Sequence, residues 1–116
     1  MKSTLKIITV LATIACAGLP AKAVDTEIEN RASIVGVIAT AQCYVNTGML
    51  TQEQADKIIR DYQKAYPNVK PAYKWVTTSR NGKAAVKAIA PYFSSDCKDT
   101  TIPTDKIGEL LMPYLK

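Results

Sequence analysis

Thr51-Gln52-Glu53-Gln54-Ala55-Asp56-Lys57-Ile58-Ile59-Arg60-Asp61-Tyr62-Gln63-Lys64-Ala65-Tyr66 decides the fold class. Thr51 and Gln54 stand at the spacing of a capping box, in which the threonine hydroxyl accepts from the third backbone amide and the glutamine reaches back to the threonine's own N–H. Leu50 before the cap and Ala55 after it suit a small hydrophobic staple. Beyond the cap, Ala55, Ile58, Ile59, Tyr62 and Ala65 or Tyr66 recur at three- and four-residue intervals, while Asp56, Lys57, Arg60, Asp61 and Lys64 fill the other face. Pro67 ends the run, because proline disfavours helical backbone in the residue before it.

Upstream, Ile28, Ala32, Val35, Ile38, Ala39, Gln42, Cys43 and Val45 trace one face of a helix from about Thr26 to Val45. Glu27 and Glu29 lie in its first turn, where the helix dipole favours negative charge, and Asn46-Thr47-Gly48 supplies the left-handed residue that ends it. The short link to Thr51 predicts an antiparallel helical hairpin.

Downstream the reading is less direct. Pro67-Asn68-Val69-Lys70-Pro71 is a turn, and Pro71 can open a helix over 72–78. Trp75-Val76-Thr77-Thr78 has strand-like composition, however, and Asn81-Gly82 either breaks a helix or turns a hairpin, so 72–82 stays open between a helix and a short hairpin. Lys83 to Ala90 is strongly helical, with Val86, Ile89, Ala90 and Phe93 on one side, and Pro91 kinks or ends it. A last helix begins near Pro103-Thr104-Asp105 and turns Ile107, Leu110, Leu111 and Tyr114 inward.

Met1 to Lys6 carries two lysines and no acid, Ile7 to Leu19 is a nearly unbroken apolar run, and Ala21-Lys22-Ala23 presents the small residues a signal peptidase reads. Residues 1–23 therefore read as a cleaved secretory signal peptide of the general route, since no arginine pair precedes the apolar run. A membrane anchor is the rival, but residues 7–19 rise only ~20 Å as a helix against a hydrocarbon core of ~30 Å. Ala15-Cys16-Ala17 offers a second cleavage position, or a lipidation site at Cys16.

The mature chain, residues 24–116, keeps two cysteines, and an even count in a small exported chain reads as one disulfide between Cys43 and Cys97. Closing that 54-residue separation would contribute ~4 kcal/mol on the chain-entropy model, against a domain stability of roughly 5–15 kcal/mol. The expected architecture is all-α, a single domain built as a small bundle of four or five short helices pinned by that bond.

Charge is unevenly spread. Loss of Lys2, Lys6 and Lys22 brings the formal balance from +5 to +2. Residues 62–95 hold no acid at all, yet they contain Lys64, Lys70, Lys74, Arg80, Lys83 and Lys87, interleaved with Tyr66, Tyr73, Trp75 and Tyr92. Cations beside flat amphipathic rings suit an anionic partner. The expected partner surface is Lys64, Lys70, Tyr73, Lys74, Trp75, Arg80, Lys83 and Lys87, meeting an acidic protein or an anionic envelope component; nucleic acid is not expected outside the cell. The bland alternative is a solvated helical face with its aromatics in the core.

Catalysis is not expected. The chain has no histidine, so the commonest general base and the commonest metal ligand are missing, and no nucleophile-elbow, zincin, P-loop or calcium-loop pattern is present. Two cysteines cannot complete a zinc site, so neither a metal nor a cofactor is expected. The sequence thus predicts a non-catalytic, periplasmic or secreted binding protein with no transmembrane span in its mature form. An envelope-stress holdase and an inhibitor or immunity-type protein are the alternatives. The first would suppress aggregation of unrelated clients, and the second would co-purify with one partner.

Overall fold

A computed structural model describes residues 26–116, which form five helices: α1 (Thr26–Asn46), α2 (Gln52–Ala65), α3 (Lys70–Thr78), α4 (Arg80–Ile89) and α5 (Thr104–Leu115). Single 3-10 turns at Pro67–Val69 and Ala90–Tyr92 precede α3 and follow α4. The all-α expectation is met. The expected signal peptide, residues 1–23, lies outside the described residues.

The first helix is not the one-sided element that its apolar spacing predicts. Ala32 through Val37 are buried without interruption, as are Ala39, Thr40 and Ala41, so the middle of α1 is covered all round. A helix apolar on every side has to be surrounded, and α2, α3, α4 and α5 all pack against α1. Ser33, Gly36 and Thr40, which lie off the apolar spacing, are small enough to be enclosed as well. The two hydroxyls are satisfied locally, Ser33 Oγ donating to the Glu29 carbonyl at 2.9 Å and Thr40 Oγ1 to the Gly36 carbonyl at 2.7 Å. A buried hydroxyl that bonds to a carbonyl of its own helix costs far less than an unpaired one.

At the end of α1, Gly48 adopts φ +81°, the left-handed conformation expected of a helix-terminating glycine. The capping box is formed in full, with the Gln54 amide donating to Thr51 Oγ1 at 3.1 Å and the Thr51 amide to Gln54 Oε1 at 2.9 Å. In α2, Ala55, Ile58 and Tyr62 are buried and Ile59 is half-buried, whereas Ala65 and Tyr66 are exposed and do not extend the apolar face. The Tyr66 ring instead lies against Tyr62, with centroids 4.9 Å apart.

The open segment 72–82 is helical. Asn81-Gly82 neither breaks nor caps the chain; Ser79 does both, ending α3 and beginning α4 as a single extended residue whose hydroxyl accepts from the Gly82 amide at 3.3 Å. Gly82 serves packing. A Cβ built there would stand 2.6 Å from Val76 Cα and 2.8 Å from the Trp75 carbonyl oxygen, so only glycine lets the two helices fold back on one another so closely. In α4 the inward residues are Gly82, Ala85 and Ile89, with Val86 half-buried; Ala90 is exposed, contrary to its expected place on the apolar side. Pro91 does end the α-helix, through the 3-10 turn. In α5, Ile107, Gly108, Leu111 and Leu115 are buried, and Leu110 and Tyr114 flank them half-covered.

Cys43 near the end of α1 is joined to Cys97 by a disulfide with a Cα–Cα distance of 5.9 Å. Cys97 is fully buried and sits at φ +62° in a loop closed by an isolated antiparallel bridge between Phe93 and Thr100. Asp96 helps to shape that loop, its carboxylate accepting from Ser94 Oγ at 2.6 Å and from the Lys98 amide at 3.1 Å; these bonds hold its pKa below the ordinary range. Tyr44, next to the bridge, is pushed the other way by burial and, to a smaller degree, by the nearby Asp96 charge.

Two outcomes follow. Replacing both bridging cysteines by serine should lower stability by ~4 kcal/mol in urea denaturation; a loss within error of zero would remove the disulfide from the account. Gly82→Ala, which at an open helical position gains about 1 kcal/mol of propensity, should here destabilise by about 1–3 kcal/mol because the added methyl meets backbone. Gly82→Ala stability equal to or above the wild type would contradict the close α3–α4 approach.

Candidate functional site

The acid-free segment becomes a corner of two helices joined only by Ser79. At about 100° per residue, Arg80, Lys83 and Lys87 lie opposite Gly82, Ala85 and Ile89, the residues that α4 buries. Lys70 and Lys74 lie opposite Ala72 and Val76, the buried residues of α3. Both helices pack on α1 through those inward residues, so their cationic stripes point outward, and all five side chains are exposed. Lys70, Lys74, Arg80, Lys83 and Lys87 thus lie on the outward sides of two successive helices. Lys64, in the last turn of α2, stands apart from the corner, at a helix C-terminus where a cation complements the dipole.

Among the described residues none of these six cations is seen in an ion pair, whereas Arg31 pairs with Glu27 at 2.8 Å and Lys106 with Glu109 at 3.4 Å. Lys64 and Lys87, each in the last turn of its helix, complement the dipole, but the rest of the placement is locally unfavourable. Lys70 opens α3 and Arg80 opens α4, at helix ends that prefer anions, and neither helix has an acid in its first turn. Lys70 with Lys74 and Lys83 with Lys87 are like-charge neighbours one helical turn apart, each pair costing about 0.2–0.5 kcal/mol.

The aromatic half of the expected surface is arranged differently. Tyr73, Trp75 and Tyr92 are half-buried and packed against the core, so they line its edge rather than standing free beside the lysines. Trp75 also carries a cation of its own: the Arg31 guanidinium lies 4.5 Å from its ring centroid, an arrangement worth up to about 2 kcal/mol when desolvated. Arg31 further donates to the Leu115 carbonyl at 2.8 Å, satisfying the C-terminus of α5, so one side chain ties α1 to α3 and α5. Sequence reasoning did not single out Arg31. Its i,i+4 spacing from Glu27 signals the ion pair, but nothing in the linear order signals the contacts with Trp75 or Leu115.

A shallow cleft of about 340 Å³ opens beside this arginine, between the start of α1 and the start of α3. Its polar lining is already engaged: Glu27 with Arg31, and Asn30 with Asn68, whose amide nitrogen donates to Asn30 Oδ1 at 2.8 Å. Among the described residues no three acidic or cysteine side chains gather where they could hold a metal ion. No helix there is long and apolar enough to cross a membrane. The cationic corner is the surface feature that local stability does not explain.

Compared with family models, with curated proteins and with solved structures, the chain matches none.

Proposed function

We propose that this is an exported, non-catalytic binding protein, periplasmic or secreted, that engages an anionic or acidic partner through the outer face of the α3–α4 corner. One observation carries the reading: five exposed cations, without an ion pair among the described residues, gather on two successive helices that hold no acid, two of them at helix starts and four of them as like-charge neighbours one turn apart. Local arrangements that cost stability without a compensating contact mark functional surfaces. An anion laid over the corner would relieve both penalties at once. The export half of the proposal rests on the charge, apolar run and Ala21-Lys22-Ala23 pattern of residues 1–23, and the disulfide suits an oxidising compartment.

Lysines and arginine do the contacting, while Tyr73 and Trp75 hold the corner in place by packing beneath it. Lys64 contributes to the general positive field at most, because it belongs to another helix end.

Binding and stability should therefore move in opposite directions. A variant carrying Lys70→Gln, Lys74→Gln, Lys83→Gln and Lys87→Gln should lose recovery of its partner in pull-downs from the envelope fraction of the producing cells. At low ionic strength the same variant should be at least as stable as the wild type, and by up to about 1 kcal/mol more so, from the relieved repulsions. Equal recovery by the two proteins would overturn the proposal. So would a variant markedly less stable than the wild type, since the cations would then be serving the fold.

A further inference from the structure

Resting on that reading, we infer that the partner of the α3–α4 corner is a flexible linear polyanion, a chain bearing phosphate or carboxylate on successive units.

Among the described residues this face has no apolar anchor. Protein interfaces are organised around buried aromatic or aliphatic centres with the charges at their rim, and helices that lie in a membrane surface insert an apolar face. The large hydrophobic residues exposed among those described are Met49, in the α1–α2 link, and Tyr66, at the end of α2; neither is on α3 or α4. The apolar residues of the corner are turned inward, and Trp75 is covered by Arg31. A linear polyanion needs no such anchor, because displacement of its condensed counterions by protein cations supplies the driving force.

The spacing of the charges favours the same partner. Arg80, Lys83 and Lys87 run along one side of a rigid helix over a rise of about 10 Å, and Lys70 and Lys74 along its neighbour over about 6 Å. These are two short rows of charge on the outward sides of successive helices whose buried sides meet at Val76 and Gly82. A flexible chain can follow one row and then the other, whereas a flat lipid surface needs both rows in one plane, and at about 1 kcal/mol per cation near an anionic membrane a contact with one short row stays weak.

Binding of the oxidised protein to sodium polyphosphate, to polygalacturonate and to phosphatidylglycerol vesicles, each over a range of salt, tests the inference. Arg80→Gln, Lys83→Gln and Lys87→Gln combined should weaken binding to the polymers at low salt at least about tenfold and reduce the slope of log affinity on log salt by about 2, at ~0.7 per cation for a single-stranded polyanion. A charge-matched variant with Lys57→Gln, Lys98→Gln and Lys116→Gln should change the slope far less. Binding to one polymer alone would identify the anion as phosphate or carboxylate and support the inference. Tighter binding to vesicles than to either polymer, lost in the α4 variant, would overturn the polyanion and leave the basic-face reading standing. No binding to any probe at low salt, or equal losses in the two variants, would overturn both.

Discussion

The fold depends on one constraint: the middle of α1 is buried all round, and nothing short of complete enclosure removes its apolar residues from water. Each of the other helices contributes one inward stripe to that enclosure, which is why α2, α3, α4 and α5 are each amphipathic while α1 is not. Burial of Ile34, Val35 and Val37, at about 1.5–3 kcal/mol each, drives the collapse. Two ties then fix where the surrounding helices stop. The disulfide holds the 94–100 loop, with its left-handed Cys97, against the end of α1. Arg31 joins the start of the same helix to Trp75 and to the last carbonyls of α5.

Much of this was legible in the chain because its signals are local. The capping box at Thr51 depends on two residues three apart, and Gly48 and Pro91 act through their own backbone geometry, so all three appear in the structure as the sequence implies. The failures are the places where a residue's role is set by something distant. Ser33, Gly36 and Thr40 lie off the apolar spacing of α1, and only the presence of helices on every side turns them into core. Asn81-Gly82 has the composition of a turn, yet Gly82 is selected by the approach of Val76 across the corner. Ala65 and Ala90 continue an apolar period without being buried, since alanine reports helix propensity as much as burial.

The candidate surface divides the same way. The cations could be found from the sequence, because an acid-free stretch of 62–95 is a property of composition and the i,i+3 and i,i+4 spacings align it on helical faces. The role of the aromatics could not, because whether a tryptophan is a contact or a support depends on what lies over it, and here Arg31 does. That distinction changes the chemistry. A surface of lysine and arginine without an aromatic anchor binds by charge alone, so its affinity falls steeply with salt and its selectivity is for charge density rather than shape.

The account stands or falls on where an anion touches the protein. Backbone amide chemical shifts of the oxidised protein, followed by NMR during titration with sodium polyphosphate at low salt and again after salt is added, locate that contact residue by residue. The account predicts shifts concentrated at Lys70–Lys74 and Arg80–Lys87 that fade as salt rises. Shifts centred instead on Met49 and Tyr66, or none at low salt, would contradict it.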